Sequence, residues 1–277
     1  MVILMARQGK QKERTFENVK AFWDNEGKEL GNTIYACIRD NEFRKLEIQH
    51  IIKYITGKQK VLDLACGNGY CTIYFSQHVG EIIGTDYSEP LIKSANNLLK
   101  NFPEKDIKID KNIRFEVANA LDLPYKDESF DVVIAERLLV NLPEVELQEK
   151  AVKEIYRVLK PGGLYIFSEA TFQGHDNLNH IRGMFGLSNM ERHWHNLYID
   201  ETSFMPFIKR YFNIIDSRRF GLYHFLSKVI HPLIVAPEEP KFDSKINIVA
   251  RTVTEKMPKI EELEKSSHHL CIVFQKV

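Results

Sequence analysis

The chain lacks the cysteine pattern that is typical of secreted disulfide-rich proteins and zinc proteins, and it lacks the positive charge that is typical of nucleic-acid-binding proteins. It has four cysteines in 277 residues, and the sequence contains no C-x-x-C pair, so neither a disulfide framework nor a zinc ribbon is indicated. Lys and Arg total 38 and Asp and Glu total 38, which leaves no net charge. A general attraction for nucleic acid or for an anionic membrane is therefore missing.

Long hydrophobic runs are also missing. No stretch approaches the roughly 18 apolar residues of a membrane span, and the apolar residues 1–5 are too few for the core of a signal peptide. The composition, 44% hydrophobic and 27% charged, is that of an ordinary globular protein. We therefore expect a cytoplasmic protein with reduced thiols and no membrane span.

From residue 60 onward, short apolar runs alternate with amphipathic helical segments. The predicted strands are 60–64, 81–84, 113–117, 132–135 and 163–168, followed by 211–220 and 270–274. The predicted helices are 72–78, 89–99 and 145–159. Strands separated by helices in this way predict an α/β domain with a doubly wound, mostly parallel sheet that is covered on both faces.

Two units and two insertions are expected. Residues 1–56 are predicted to form an N-terminal helical cap, with an apolar stripe from Phe43 to Ile55 and with Asp40 or Asn41 as a helix N-cap. Residues 57–277 form the main domain. Segments at about 171–200 and 222–267 lack a clear apolar period, and we expect these two insertions to form a lid.

The most informative motif is the run from Val61 to Tyr70, in which Asp63 ends a buried strand and a turn of small residues opens a helix. Ligands of open α/β sheets bind at the carboxyl ends of strands, where small residues allow close approach to the backbone. The spacing Ala65-x-Gly67-x-Gly69 differs from the dinucleotide fingerprint G-x-G-x-x-G. Alanine at the first position is acceptable if that residue keeps a negative φ.

Acidic and amide side chains follow the next two predicted strands. Asp86 comes just after the second strand, where a carboxylate can accept hydrogen bonds from both hydroxyls of a ribose. Asn119 and Ala120 follow the third strand, and an amide side chain suits an adenine edge. These positions predict a nucleoside site at the edge of the sheet.

These motifs, together with Phe130-Asp131-Val132-Val133 and Leu159-Lys160-Pro161-Gly162-Gly163, resemble those of the class I (Rossmann-like) S-adenosylmethionine-dependent methyltransferases. The resemblance covers roughly residues 40–170 and the last strands. It implies a seven-stranded sheet whose last strand is antiparallel, and S-adenosylmethionine as cofactor. The residues that it implies in cofactor binding are Asp63, Ala65, Gly67, Gly69, Asp86, Tyr87, Asn119, Ala120, Leu121 and Glu136, with Glu136 near the methyl group.

The end of the fourth strand reads Ala135-Glu136-Arg137-Leu138-Leu139. It lacks the Asn/Asp-Pro-Pro-Tyr/Phe pattern that is typical of methyltransferases acting on exocyclic amino groups, so a nucleic-acid substrate is not expected. Arg137 is either a partner for an anionic acceptor or a surface residue.

The first insertion carries the candidate acceptor residues. If residues 192–198 are extended, His193 and His195 share one face, and histidine titrates near neutral pH, so this pair is the candidate catalytic base. The alternative is that these histidines are structural and only form hydrogen bonds within the lid. The spacing of His175, His180, His193 and His195 matches no metal-binding motif, so no metal is expected. The candidate substrate-binding residues are Tyr35, Arg39, Arg137, His175, His180 and Tyr198.

The resulting hypothesis is methyl transfer to a small polar metabolite, at an oxygen acceptor that is sugar-derived or acidic. The apolar stretch 222–235 supports an alternative, a lipid or quinone methyltransferase, although it also suits a core segment or a homodimer interface. A noncatalytic S-adenosylmethionine-binding partner subunit is a third reading.

Overall fold

The computed structural model describes residues 13–104, 107 and 112–277. The predicted cap is therefore seen from residue 13 onward, and the apolar residues 1–5 lie outside the described residues. Among the described residues, no helix combines the length and the hydropathy that crossing a bilayer requires.

A seven-stranded sheet forms the centre of the molecule, in the order β3-β2-β1-β4-β5-β7-β6. Its strands are β1 Lys60–Leu64, β2 Glu81–Asp86, β3 Ile113–Val117, β4 Phe130–Glu136, β5 Leu159–Ala170, β6 Phe212–Arg218 and β7 His269–Lys276. Strands β1 to β5 pair in parallel, and β7 is antiparallel to both β5 and β6. The predicted doubly wound fold with its antiparallel last strand is confirmed.

Helices cover both faces of this sheet. They are α1 Phe16–Leu30, α2 Asn41–Ile51, α3 Tyr70–Ser76, α4 Glu89–Lys100, α5 Val145–Val158, α6 Phe172–Met184, α7 Glu201–Ile208, α8 Gly221–Phe225, α9 His231–Val235, α10 Lys245–Lys256 and α11 Glu261–Glu264. A 3₁₀ turn, Leu139–Asn141, follows β4, and a π-helical turn, Leu226–Ile230, joins α8 to α9.

The core divides according to the alternation of side chains along the strands. Leu62 and Leu64 of β1 face one apolar cluster, whereas Val61 faces the other. All three side chains are buried. Both faces of the central strands are therefore apolar, as a parallel sheet requires.

Both insertions contain more helix than their sequences predicted. Thr171 caps α6 by accepting a hydrogen bond from the amide of Gly174, and 222–267 contains most of α8, all of α9 to α11, and the π-helical turn. Strand β5 also begins earlier than expected, because Pro161, Gly162 and Gly163 lie within it beside a register shift in β4. Capping and packing onto the domain stabilise segments that have weak apolar periodicity.

The two N-terminal helices are attached to the loops that follow β1 and β4. The side-chain amide of Asn68 donates hydrogen bonds to the carbonyls of Gly31 and Thr33, at 3.0 and 2.9 Å. The indole N–H of Trp23 in α1 donates to Asn141 Oδ1 at 3.0 Å. These contacts hold α1 over the carboxyl ends of the strands.

Candidate functional site

A cavity of about 480 Å³ opens at the carboxyl ends of the strands, beneath α1. Thirteen of the predicted site residues line it: Arg39, Asp63, Ala65, Gly67, Asp86, Tyr87, Asn119, Ala120, Glu136, Arg137, His193, His195 and Tyr198. Five predicted residues are not among those that line it: Tyr35, Gly69, Leu121, His175 and His180.

The turn between β1 and α3 is built from left-handed backbone. Gly67 has φ 58°, and a Cβ there would lie 2.7 Å from the Sγ of Cys37. Ala65 has φ 61°, so the condition of a negative φ, under which alanine is acceptable in this turn, is not met. Its left-handed conformation costs roughly 1–2 kcal/mol for an L-residue, and the turn nevertheless leaves its backbone open to the cavity.

Gly69 has a different role from the other small residues of the turn. It begins α3 with φ 75°, and a Cβ there would collide with the ring of Phe115 on β3. This glycine therefore allows the helix to pack against the sheet, and it does not face the cavity.

Asp86 is the last residue of β2, and its carboxylate connects two loops. One oxygen accepts the amide of Gly67 at 3.0 Å and the other accepts the amide of Ser88 at 2.9 Å. Burial raises the pKa of Asp86 to about 6, against the opposing effect of these two amides. Most of this carboxylate is ionised at pH 7, and it borders the cavity.

Asp63 supports the same turn from β1. Its carboxylate accepts a hydrogen bond from the hydroxyl of Thr72 at 2.5 Å. Burial, and to a smaller extent the charge of Asp86, raises the pKa of Asp63 to about 7. Both carboxyl groups line the cavity. Because the pKa of Asp86 is the lower of the two, Asp86 is the more readily ionised.

The loop after β3 is closed by its own side chain. Asn119 Oδ1 accepts a hydrogen bond from the amide of Leu121 at 3.0 Å, so the amide oxygen expected to face adenine is engaged within the turn. Leu121 is buried in the core below this loop. The ring of Tyr87 also lines the cavity, with its centroid 5.7 Å from that of Phe16.

A buried cluster of charged groups lies beyond the end of β4. Arg137 donates to the carboxylate of Glu47 on α2, which also accepts the hydroxyl of Ser168 at 2.7 Å. Arg137 has φ 57°, and its Nη1 lies 3.9 Å from a carboxylate oxygen of Glu136. Arg137 is thus committed to Glu47, although its Nη1 has no hydrogen-bond partner.

The guanidinium of Arg137 lies near the carboxyl groups of Glu47 and Glu136, and the pKa values of these two groups shift in opposite directions. Burial raises the pKa of both, but the charges of Arg137 and His269 hold the pKa of Glu47 below its usual value. Burial and the charge of Glu47 raise the pKa of Glu136. Glu136 therefore holds its proton near neutral pH and borders the cavity as a carboxylic acid.

His195 lies in an aromatic pocket at the other wall of the cavity. Its ring stacks on Phe22 with 4.2 Å between centroids and packs edge-on to Trp23 at 5.6 Å. Burial lowers its pKa to about 4, so the ring is neutral at pH 7, and its Nδ1 has no hydrogen-bond partner. His193 stacks on His195 at 5.5 Å and is exposed.

The other lid and cap residues are arranged differently. His175 is buried, with its Nε2 2.9 Å from the carbonyl oxygen of Met190, and His180 is exposed on α6. Arg39 pairs with Glu26 at 2.7 Å on the outer rim of the cavity. Of the four histidines of the first insertion, His193 and His195 therefore line the cavity, and His175 and His180 do not.

Sequence reasoning missed a group of residues at the far end of the cavity. These are Phe43 of α2, His224 of α8, Lys228 of the π-helical turn, Phe242, His268 and His269. A signal for two of them was available, because β7 is antiparallel and the residues at its start lie at the same edge as the carboxyl ends of the parallel strands.

A known family matches the region that contains this site. The family model described as "Methyltransferase domain" matches residues 62–167, which include β2 to β4, most of β1 and β5, and both Asp63 and Asp86. The chain contains a class I methyltransferase domain. The predicted family is thereby confirmed.

Curated proteins resemble this methyltransferase domain and its surroundings. A demethylmenaquinone methyltransferase from Staphylococcus carnosus is 33% identical over 175 residues, which is 60% of this chain and 64% of that protein. A ubiquinone/menaquinone biosynthesis C-methyltransferase from Escherichia fergusonii is 39% identical over 114 residues, 40% of this chain and 42% of that protein. The chain spans about half the length of the first curated relatives that it matches.

Solved structures share the fold over a longer range. The N-methyltransferase NodS from Bradyrhizobium japonicum, in complex with S-adenosylhomocysteine, covers 94% of this chain and 98% of its own. The TM-score is 0.56 at 11% identity. At this identity the likeness shows the fold alone, and it extends well beyond the residues matched by the family model.

Proposed function

We propose that the protein transfers a methyl group from S-adenosylmethionine to a small molecule bound in the same cavity. The observation that carries the proposal is the carboxylate of Asp86, which is buried at the end of β2 and accepts one backbone amide on each side. Its remaining lone pairs suit the two hydroxyls of a ribose. Charge-assisted hydrogen bonds of this kind are among the stronger polar contacts.

The neighbouring residues fit the rest of this cofactor. Ala65 and Gly67 present left-handed backbone to the cavity, and Gly67 has no room for a Cβ. Asn119 and Ala120 line the cavity at the end of β3, next to Asp86 in the sheet. When bound, S-adenosylmethionine would supply an electrophilic methyl group.

In such a transfer the protein aligns the acceptor with the methyl donor and excludes water from the site. Helix α1 contributes Phe22 and Trp23 to the cavity wall, and the hydrogen bond from Trp23 to Asn141 fixes this wall over β4. Asn68 ties the cofactor turn to residues 31 and 33. We infer that α1 closes the site over both ligands.

Two kinds of group can move a proton in this cavity. The neutral ring of His195, with His193 stacked on it, is the base that we propose for a hydroxyl acceptor. Glu136 holds a proton near neutral pH at the end of β4. An acceptor that is already anionic would need neither group as a base.

The acceptor class that the cavity favours is a planar molecule. Aromatic rings of Phe22, Trp23, Phe43 and Phe242 line the cavity. Such walls stabilise an aromatic ring through stacking and burial, and two of the relatives bear the names of quinone-pathway methyltransferases. We therefore rank a quinol-like acceptor above the sugar-derived acceptor expected from the sequence.

A second acceptor class has its own support. Arg39, His193, Asn196 and Tyr198 also line the cavity and offer hydrogen bonds to a polar or acidic metabolite. His175, His180 and Tyr35 are not among the lining residues, which reduces the number of polar groups available to such a molecule.

The test is transfer of a labelled methyl group from S-adenosylmethionine. The protein is incubated with a naphthohydroquinone, with a set of sugar and hydroxy-acid acceptors, and without acceptor. We expect labelled naphthohydroquinone product. Labelled sugars or acids would reverse the ranking, and binding of S-adenosylhomocysteine without transfer to any acceptor would support the noncatalytic reading.

A further inference from the structure

The cavity continues past the proposed methyl-transfer position to a polar end. This end is formed by Lys228, His224, His268, His269 and Arg137, and we name it the basic end. The ring of Phe43 lies in its midst, with centroid distances of 4.5 Å to His224 and 5.3 Å to His269, and 5.8 Å to the guanidinium of Arg137. None of the cofactor motifs contributes to it.

Several buried nitrogen atoms at the basic end lack hydrogen-bond partners in the described part of the protein. Arg137 Nη1 and His268 Nδ1 are buried with no hydrogen-bond partner. His269 Nε2 lies 3.3 Å from Glu47, in a geometry that makes no hydrogen bond. A buried polar atom without a partner costs about 1–3 kcal/mol, so the arrangement favours a ligand that supplies acceptor oxygens.

Lys228 adds a largely buried positive charge whose carboxylate partner, among the described residues, is Asp40. Its Nζ pairs with one carboxylate oxygen of Asp40 at 3.3 Å. The other oxygen of Asp40 also accepts the hydroxyl of Tyr223 at 2.5 Å and the amide of Phe43 at 3.2 Å. Burial lowers the pKa of Lys228 despite the presence of Asp40. A second anion beside the ammonium would offset this cost.

The local backbone is consistent with a ligand-binding role for Lys228. It lies in the π-helical turn Leu226–Ile230, between α8 and α9. Such turns are rare in helices and occur frequently at functional sites. The ammonium Nζ of Lys228 also lies 4.3 Å from the centroid of the Phe242 ring, so an aromatic wall and an ammonium group adjoin.

We propose that the basic end binds an anionic oxygen group, a carboxylate or a phosphate, on the body of an aromatic acceptor. This proposal rests on the proposed function, since it places the acceptor in the same cavity. Lys228 and Arg137 Nη1 contribute charged donors, and His268 contributes a neutral one. The aromatic body of the acceptor then lies along Phe43 and Phe242, toward the cofactor part of the cavity.

The experiment compares isosteric probes that differ in charge. 2-Naphthoate, 2-naphthyl phosphate and neutral 2-naphthamide are titrated calorimetrically into the full chain at constant ionic strength, with and without S-adenosylhomocysteine. The wild type should bind one of the two anions at least tenfold more tightly than 2-naphthamide. Preference for the carboxylate or for the phosphate distinguishes the two sources of the anionic group.

Variants assign the preference to Lys228. Lys228→Met should remove the preference for the anion and keep the affinity for 2-naphthamide. Lys228→Arg should retain most of the preference for the anion. Lys209→Met, at an exposed position on the outside of α7, should behave as the wild type. Circular dichroism checks that each variant is folded, and Lys228→Arg retains a test if the methionine variant is not.

Two results would overturn the proposal. One is an anion affinity in the wild type that is undetectable or no greater than that of 2-naphthamide, with and without S-adenosylhomocysteine. The other is an unchanged preference in folded Lys228→Met. Binding of S-adenosylhomocysteine is measured separately, so failure of the basic end is distinguishable from failure of the proposed function.

Discussion

Replacing Glu47 with Gln should destabilise the protein more than any change to a surface ion pair. Glu47 is fully buried on α2, and its carboxylate faces Arg137, Ser168 of β5 and His269 of β7. The substitution removes the charge that balances a buried guanidinium. Breaking a buried pair by removing one partner costs roughly 3–5 kcal/mol.

We expect Glu47→Gln to lie at the lower end of that range, at about 3 kcal/mol, because glutamine retains an acceptor oxygen for Ser168. In a domain of this size that corresponds to roughly 6–12 °C in Tm. The free energy of unfolding is measured by urea titration, with the denaturant slope checked for constancy. Acidification supplies a second test. Because the pKa of Glu47 is lower in the folded protein than in the unfolded chain, its contribution to the free energy of unfolding is complete above the unfolded pKa of 4.5 and is lost progressively as the pH falls from there to the folded pKa.

The control for Glu47→Gln is Glu149→Gln on α5. Glu149 pairs with Lys153 at 3.9 Å, and both side chains are exposed, so its substitution should change the free energy of unfolding by less than about 0.5 kcal/mol. The double variant Glu47→Gln with Arg137→Met should recover part of the loss, since it removes the unbalanced charge. Equal effects of Glu47→Gln and Glu149→Gln would refute the reasoning.

Three further predictions concern the cavity wall. Ala65→Gly should raise the free energy of unfolding, measured by urea titration, by up to about 1 kcal/mol, since glycine adopts φ 61° without strain. No gain would contradict the presence of strain at Ala65. Gly67→Ala should lower both stability and the affinity for S-adenosylhomocysteine, because its Cβ would meet Cys37, and wild-type affinity in calorimetry would contradict this. Between pH 7 and pH 5 the wild type should lose roughly 1 kcal/mol more of its free energy of unfolding than His195→Phe. The reason is that the pKa of His195 is about 4 in the folded protein, below its value in the unfolded chain, so the unfolded chain takes up the proton first. Parallel curves of unfolding free energy against pH for the two proteins would exclude a lowered pKa.

The part of the cavity proposed to bind the cofactor was predictable because its residues are close to one another in the sequence. Asp63 and Gly67 belong to one strand and the turn after it, and Asp86 ends the next strand. The carboxyl ends of parallel strands meet at one edge of the sheet, so strand prediction alone brings these residues together. The left-handed φ of Ala65 was not predictable, because alanine ordinarily avoids that region.

The acceptor side was less predictable because its residues come from distant parts of the chain. Lys228 follows β6 within a helical insertion, and His268 immediately precedes β7. They meet Arg137 only when β7 inserts between β5 and β6 as an antiparallel strand. Closeness in sequence was misleading for the first insertion, since His175 and His180 were expected to bind substrate but do not line the cavity, and His180 is exposed on α6.

The measurement that tests the central claim most directly is calorimetric titration of the protein with S-adenosylhomocysteine, for the wild type and for Asp86→Asn, with Asp176→Asn as the control. Asp176 is exposed on α6 near the same edge of the sheet, so its substitution removes an equal charge outside the cavity. We predict binding by the wild type and by Asp176→Asn, and an affinity roughly tenfold to a hundredfold lower for folded Asp86→Asn, which is the value of a charge-assisted contact of about 1.5–3 kcal/mol. Undetectable binding by the wild type, or equal affinities for Asp86→Asn and the wild type, would contradict the account.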